Sequence, residues 1–294
     1  MKIYVTGAAG MLGSFLVPYL EGQGHKVRAT DIVGDGDFMD VRDYHALHYD
    51  FSEFEADVFI NLAAMTDLEE CETQAGDAIN TNAGGEQNCV AIAAKFGVPH
   101  VYISTAGIFD GKQDFYDDWD KPNPICVYAK SKYWGELAAR TYVKSVVLRC
   151  GWQMGSCEKD KKFVGKIMKQ LKDGATELNV VTDKLGTPTY VKDFTLQIEH
   201  LLSNDSYGVY NAVCKGNASR YDVAEELLRL LNLQDVVKVN IVDSSFWKKE
   251  YFAPRPASER LLTTKLEEQG LYVMRHWKEA LAEYVSENPE FFKV

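Results

Sequence analysis

The sequence predicts an α/β chain, a doubly wound parallel sheet followed by a smaller C-terminal α/β lobe. Three observations predict it. Short apolar runs alternate with longer amphipathic stretches through the first half. That alternation requires crossover connections, which cover a parallel sheet on both faces. Gly22, Gly24, Gly97 and Pro99 fall where helices should stop and strands begin. The 294 residues suffice for about two domains, or one large domain with an appended lobe.

Taken in order, residues 3–6, 27–30, 58–62, 98–104 and 145–149 read as short, largely buried strands. Residues 11–21, 43–54, 75–96 and 127–142 carry apolar positions at helical spacing and read as the helices between them. After residue 150 the rhythm loosens. Residues 161–172 form an amphipathic helix by period, 178–181 a strand, 191–202 a helix and 207–213 a strand. Residues 220–231 and 276–287 are helical by period, and an irregular stretch with Pro254 and Pro256 lies between them. The expected division is a nucleotide-binding domain over 1–150, with a return around 186–213, and a lobe formed mainly by 151–294.

Composition narrows the function. Hydrophobic residues at 46% and charged residues at 26% are globular values and exclude a disordered chain. The formal net charge of −11 argues against a nucleic-acid partner, and an anionic substrate would need a local cluster of positive groups. No apolar run approaches the ~20 residues that cross a bilayer. The apolar part of Met1-Lys2-Ile3-Tyr4-Val5-Thr6-Gly7 is too short for a secretory signal. A cytoplasmic protein without a membrane partner is therefore expected. Six cysteines, none in a C-x-x-C pair, read as reduced thiols. His45 and His48 lack the cysteine or carboxylate company of a metal site, so no metal is expected.

Gly7-Ala8-Ala9-Gly10-Met11-Leu12-Gly13 follows the first strand and opens the first helix. Glycines at such a junction permit a tight turn and let backbone N–H groups approach a pyrophosphate, helped by the helix N-terminus. This is the Rossmann-type dinucleotide signature, with Gly7, Gly10, Met11, Leu12 and Gly13 as cofactor contacts. Asp31 ends the second strand, where a carboxylate accepts from a ribose hydroxyl and repels a 2′-phosphate. It favours NADH slightly over NADPH, although Arg28 and Arg42 are near enough in sequence to offset it. Asp40-Val41 is a weaker candidate for the adenine side.

Tyr128-Ala129-Lys130-Ser131-Lys132 is a Y-x-x-x-K group, one helical turn apart, so both side chains share a face. A neighbouring ammonium favours the phenolate, and the phenol can exchange a proton with a carbonyl or alcohol oxygen. Among 16 tyrosines, about one such pair arises by chance, so the motif alone carries nothing. Its position carries the reading: it opens the helix after the strand that ends in Ser104-Thr105, and doubly wound sheets place ligands at that edge. Thr105 can polarise the substrate oxygen.

These residues resemble the extended short-chain dehydrogenase/reductase superfamily and, within it, the dTDP-4-dehydrorhamnose reductase family. The traces run along most of the chain. They are Asn61-Leu62-Ala63-Ala64-Met65-Thr66, Asn80-Thr81-Asn82, Ser104-Thr105 with Phe109-Asp110-Gly111, and Pro122-Asn123-Pro124 before Val127-Tyr128. Then come Ser131-Lys132 with Gly135-Glu136, Leu148-Arg149 with Trp152, Gly186-Thr187-Pro188-Thr189 with Asp193, and Arg255-Pro256 with Arg260-Leu261. The resemblance implies an NAD(P)H-dependent reductase of a nucleotide-linked 4-keto-6-deoxysugar, with a homodimer as a possible assembly. It implies Tyr128 as proton donor, Lys132 as the residue that holds the ribose and tunes Tyr128, and Thr105 as assistant. Ala63, Ala64, Met65 and Asn80 would line the cofactor. Thr66, Ser104 and Trp152 would approach the sugar, and Arg255 and the 161–172 helix the diphosphate.

The chain departs from the family pattern at the sugar. The family commonly shows an acidic residue and a tyrosine after the catalytic threonine, where this chain has Ala106-Gly107. Its Asp-Gln before the Gly-x-Pro-Thr motif is Asp183-Lys184 here, and its Asn-Ser-Arg-Leu is Ser258-Glu259-Arg260-Leu261. Two alternatives stay open at this point: a nucleotide-sugar epimerase with retained NAD, and a non-catalytic cofactor-binding regulatory subunit. A dehydratase would want carboxylates directly after Thr105 and finds none.

Overall fold

The structure is a computed structural model and describes residues 1–34 and 37–294. In the first half, β1 (Lys2–Thr6) leads into α1 (Gly13–Gly22), β2 (Lys26–Asp31), β3 (Asp37–Phe38) and α2 (Tyr44–Phe54). Then follow β4 (Val58–Asn61), α3 (Leu68–Thr73), α4 (Ala75–Ile79), a π-turn over Asn80–Gly85 and α5 (Glu86–Phe96). β5 (His100–Thr105), α6 (Val127–Ala139) and β6 (Ser145–Cys150) complete it. Side chains alternate across β1. Ile3 and Val5 enter a core beneath α1, while Tyr4 packs with Phe51, Phe59 and Ile92 on the other face. α2 starts where the Asp43 carboxylate accepts from the N–H groups of His45 and Ala46, a side-chain N-cap.

The second half runs β7 (Gln153–Met154), α7 (Phe163–Lys172), β8 (Glu177–Val181), β9 (Leu185–Gly186), β10 (Thr189–Tyr190) and α8 (Val191–Ser203). It continues through β11 (Gly208–Asn211), β12 (Ala218–Ser219), α9 (Arg220–Leu230), β13 (Lys238–Val242), β14 (Ser258–Glu259), α10 (Thr264–Glu268) and α11 (Trp277–Glu287). The main sheet has the order β11-β6-β5-β4-β1-β2-β3, and every pairing in it is parallel. The order reverses between β1 and β4, which opens a crevice at their carboxyl ends, the ligand position of doubly wound sheets. β12, β9 and β14 form a separate three-stranded sheet from the second half.

Beyond the short β7, β9, β10, β12, β14 and α10, none of which the sequence predicts, four elements differ from the sequence expectation in an instructive way. The single helix expected over 75–96 is broken into α4, the π-turn and α5, because Gly84 and Gly85 lower helix propensity in mid-run. α3 precedes it in a stretch with little helical apolar pattern. β3 is a two-residue exposed edge strand, too short to leave a pattern. β13 pairs in parallel with β8 away from the main sheet, and most of its side chains are only partly covered.

One apolar core joins the halves: Leu16 and Leu20 of α1 lie in the same cluster as Phe194 and Ile198 of α8, Leu227 of α9 and Trp277 of α11. Among the described residues, no helix is long and apolar enough to cross a membrane.

Candidate active site

The cofactor side is built mainly from backbone. Gly7 has φ +71°, and a β-carbon there would stand 2.5 Å from the Ala63 nitrogen, so only glycine lets β1 end against the segment after β4. The Gly10 N–H donates to the Gly7 carbonyl at 3.2 Å and closes the turn, and Gly13 opens α1. The amides of Met11 and Leu12 have no hydrogen-bond acceptor among the described residues and stand at the helix entrance, as an anion cradle requires. Opposite them, the Asn61 Oδ1 accepts from the Ala63 N–H at 3.0 Å. Asn82 brackets Met65, accepting from its N–H at 2.8 Å and donating to its carbonyl at 2.9 Å. Ala63, Ala64 and Met65 therefore form a fixed ledge beside the glycine loop.

Asp31 lies where β2 meets this loop. Its carboxylate accepts from the Ala9 N–H at 2.9 Å and from the Val33 N–H at 3.1 Å. The two arginines near it are engaged by acids. Arg28 pairs with Asp37 and Asp50, and Arg42 makes a bidentate contact with Asp40 and reaches Asp77. The Arg42 guanidinium holds the Asp40 carboxyl below its usual range. Val41 is buried, and its carbonyl takes the Asn88 amide at 2.9 Å.

The candidate catalytic group, Thr105, Tyr128 and Lys132, assembles where β5 ends and α6 begins. The start of α6 is fixed twice: the Cys126 thiol accepts from the Ala129 N–H, and the Glu72 carboxylate accepts from the Val127 N–H at 2.8 Å. Tyr128 sits in the first turn, partly buried. Burial pushes its phenol up, the thiols of Cys150, Cys126 and Cys71 add to this, and the neighbouring Thr105 hydroxyl opposes it. Thr105 is itself held by its own turn, its Oγ1 accepting from the Gly107 N–H at 3.1 Å.

Lys132 is buried one turn further on, its Nζ 4.2 Å from the centroid of the Tyr102 ring. Burial lowers its ammonium to about 8, against the pull of Glu86 and Glu136. Both carboxylates are buried and fully engaged. Glu86 accepts from Asn61 Nδ2 at 2.7 Å and pairs with His100 Nε2 at 2.6 Å. Glu136 accepts from Ser104 Oγ at 2.8 Å and takes the Arg149 fork at 2.6 and 3.1 Å. Ser104, expected at the sugar, is thus buried with its hydroxyl turned to Glu136.

The opposite wall comes from the second half. Trp152 adopts φ +37°, an uncommon conformation for a bulky residue. Its Nε1 donates to Glu259 Oε2 at 2.9 Å, and the Arg220 guanidinium lies 3.5 Å from its ring centroid. Gly186 faces the indole directly, and any β-carbon there would collide with it. Burial lowers Arg220 to about 10. Arg255 gives its fork to Glu69 at 2.8 and 2.9 Å. Lys162 lies 3.4 Å from the carbonyl and hydroxyl of the exposed Thr66, and Lys166 is 3.2 Å from the Tyr251 hydroxyl.

Asn80, expected beside the cofactor, does not turn into the site. Asn80 is exposed, whereas Asn82 is buried and also donates to Ser131 Oγ at 2.9 Å. The signal existed: Ala78, Asn82, Gly85 and Cys89 are the buried stripe of this helical run, and Asn80 is off it. Glu72, Glu69 and Arg220 left no local signal, since their partners lie far away in sequence, and Glu259 showed only as a departure from the family pattern.

Comparisons with known proteins found similar chains of the same length. The chain is 32% identical over 289 residues to the spore coat polysaccharide biosynthesis protein SpsK of Bacillus subtilis, covering 97% of each chain. It superposes with TM-score 0.89 and 34% identity on a dTDP-4-dehydrorhamnose reductase of Clostridium acetobutylicum, covering 98% of this chain and 100% of that one. A dTDP-4-dehydrorhamnose reductase of Bacillus anthracis, solved in complex with NADP, matches with TM-score 0.88 and 29% identity, covering 97% and 99%. A family model described as the RmlD substrate binding domain matches residues 1–289, and the chain belongs to that family.

Proposed function

We propose that this protein is an NAD(P)H-dependent reductase of a nucleotide-linked 4-keto-6-deoxysugar. The observation that carries the reading is the Tyr128 phenol, kept protonated by burial, beside Thr105 at the carboxyl edge of β5 and one turn from the Lys132 ammonium. The chemistry that reduced nicotinamide supplies, when bound, is a hydride to the sugar carbonyl carbon. The chain's residues do the rest. Thr105 orients the carbonyl oxygen, and Tyr128 gives its proton to that oxygen as charge develops. Lys132 stabilises the phenolate left behind and holds the ribose. Gly7, Gly10, Met11, Leu12 and Gly13 cradle the pyrophosphate, and the ledge of Ala63, Ala64 and Met65 lines the crevice.

Asp31 supports NADH over NADPH in this reading. Its carboxylate stands at the end of β2, and Arg28 and Arg42 are both paired with acids, so neither offers its charge to a 2′-phosphate. The NADP in the Bacillus anthracis relative makes this a point for measurement. On the substrate's far side, Lys162, Lys166 and Arg255 suit a diphosphate, with Arg255 exchanging Glu69 for the anion.

The test is oxidation of NADH and of NADPH, followed at the nicotinamide absorbance, against a panel of nucleotide-linked 4-keto-6-deoxysugars. Stoichiometric oxidation with one sugar is expected. Interconversion of sugars by protein that retains NAD, without net oxidation, would mean an epimerase. Cofactor binding without turnover on any sugar, together with a stable complex with another enzyme, would mean a regulatory subunit.

A further inference from the structure

Two of the three departures from the family pattern, at residues 106–107 and 258–259, are about 150 positions apart in the chain and meet at one point in space. A β-carbon built on Gly107 would lie 3.4 Å from Glu259 Oε1 and 3.4 Å from Thr105 Oγ1. The carboxylate of Glu259 and the hydroxyl that faces the reacting oxygen therefore border the same small space. Gly107 does not have a left-handed backbone, so its turn does not require glycine. What the missing side chain provides is room, and Glu259 stands at its edge.

Glu259 is held there by half of its capacity. Oε2 takes the Trp152 indole N–H at 2.9 Å, whereas Oε1 has no hydrogen-bond partner among the described residues. Arg220 is close enough to feel the charge, yet it stacks on the indole and makes no ion pair with Glu259. β14, which carries Glu259, pairs with β9 next to Gly186, where the indole packs. The wall is thus fixed on three sides, with one free carboxylate oxygen facing the space beside Thr105. Glu259 is half-buried, and its unused acceptor is available to a donor placed in that space.

We propose that Glu259 selects the sugar: its Oε1 accepts a hydrogen bond from a donor group, hydroxyl or amino, on the sugar carbon next to the reacting carbonyl. The inference rests on the reductase reading, because Thr105 marks the reacting oxygen and substituents on adjacent ring carbons are its neighbours. It assigns the substrate to neutral or amino 6-deoxysugars with that donor. Sugars that are deoxygenated there leave Oε1 unpaired, and sugars with a carboxylate set like charges against each other. A site built to bond a donor rejects the analogue that lacks it far better than an apolar site rejects a size change.

The experiment measures equilibrium binding of nucleotide-linked 6-deoxyhexoses to protein loaded with oxidised NAD(P), alongside turnover of their 4-keto forms. Three ligands are compared: the 3-hydroxy sugar, its 3-deoxy analogue and its 3-amino analogue. The intact protein should bind the 3-hydroxy or the 3-amino sugar about tenfold or more tighter than the 3-deoxy one, and the tighter of the two identifies the natural donor. Glu259→Gln, which keeps the size and an acceptor for Trp152 but puts an N–H donor in place of Oε1, should abolish the preference for the 3-amino sugar and reduce that for the 3-hydroxy sugar less, since a hydroxyl can also accept. Glu259→Ser, too short to reach that space, should abolish most of the preference for both donor sugars and change 3-deoxy binding least. An unchanged preference in both variants, or an equal loss for all three sugars, overturns the role of Glu259 while continued turnover leaves the reductase reading standing. Failure of every nucleotide-linked 6-deoxyhexose to bind overturns both.

Discussion

The glycine loop and the Trp152 wall face each other across one crevice, but the chain holds them by different means. Gly7, Gly10 and Gly13 lie within seven consecutive residues, and the ledge opposite follows directly from the end of β4. Their shape is a property of backbone: a left-handed turn, a helix entrance and two asparagines that clamp amides and a carbonyl. The Trp152 wall is a property of side chains. Gly107, Trp152, Gly186, Arg220 and Glu259 come from five separated segments, and each contact depends on what the others are. A backbone-built surface suits an invariant ligand such as a dinucleotide. A side-chain-built surface can be altered residue by residue, as the Gly107 and Glu259 positions illustrate.

The largest break in this contrast is at the point both sides share. Tyr128→Phe should lower kcat by roughly 10²-fold or more through loss of the proton donor, while cofactor affinity by fluorescence titration stays within a few-fold. A variant with full rate would remove Tyr128 from proton transfer.

The next test separates the two sides. Gly7→Ala places a β-carbon against the Ala63 backbone and strains a left-handed turn, for an expected stability loss of about 2–4 kcal/mol and about tenfold weaker cofactor binding. Gly186→Ala pushes on the Trp152 indole instead, and should raise the sugar KM with little change in cofactor affinity. Thermal melts with cofactor titration, set beside steady-state kinetics, read both. Equal effects of both substitutions on both ligands would dissolve the distinction.

Lys132 gives a smaller effect that reads the shared floor. Its ammonium is present below about 8 and lost as pH rises through that value. The rate should therefore fall on an alkaline limb near pH 8. Lys132→Arg, whose charge persists, should move that limb up even where it lowers the rate. The smallest expected change is at Asp31. Asp31→Ala should raise the NADPH to NADH ratio of kcat/KM by several-fold, because a carboxylate that repels a 2′-phosphate is gone. An unchanged ratio would leave Asp31 as a clamp on Ala9 and Val33 alone.

The same contrast explains what could be read from the sequence. The parallel sheet was legible because its strands are continuous apolar runs between amphipathic helices. The glycine loop was legible because its geometry depends on residues that are neighbours in the chain. Y-x-x-x-K gained meaning only from its place after the strand ending in Thr105. Asn82 was within reach, since the buried stripe of its helical run excludes Asn80. Arg255 was expected at a diphosphate, but its partner Glu69 is 186 positions away and nothing local announces it. Glu259 is the extreme case, visible in the sequence only as a departure and intelligible only once Gly107 and Trp152 stand beside it.

The apolar cluster that α1 shares with α8, α9 and α11 bears on how this molecule opens. Swinging one half away from the other as a rigid body would split that cluster and expose its apolar surface, at about 25 cal/mol for each Å². The shared cluster therefore opposes a rigid-body swing of one half away from the other. The contacts that can exchange without disturbing that cluster are side-chain ones, Arg255 with Glu69 and Lys162 with Thr66. Of these two contacts only Arg255–Glu69 is an ion pair, so added salt should weaken it well before it loosens the apolar cluster beneath.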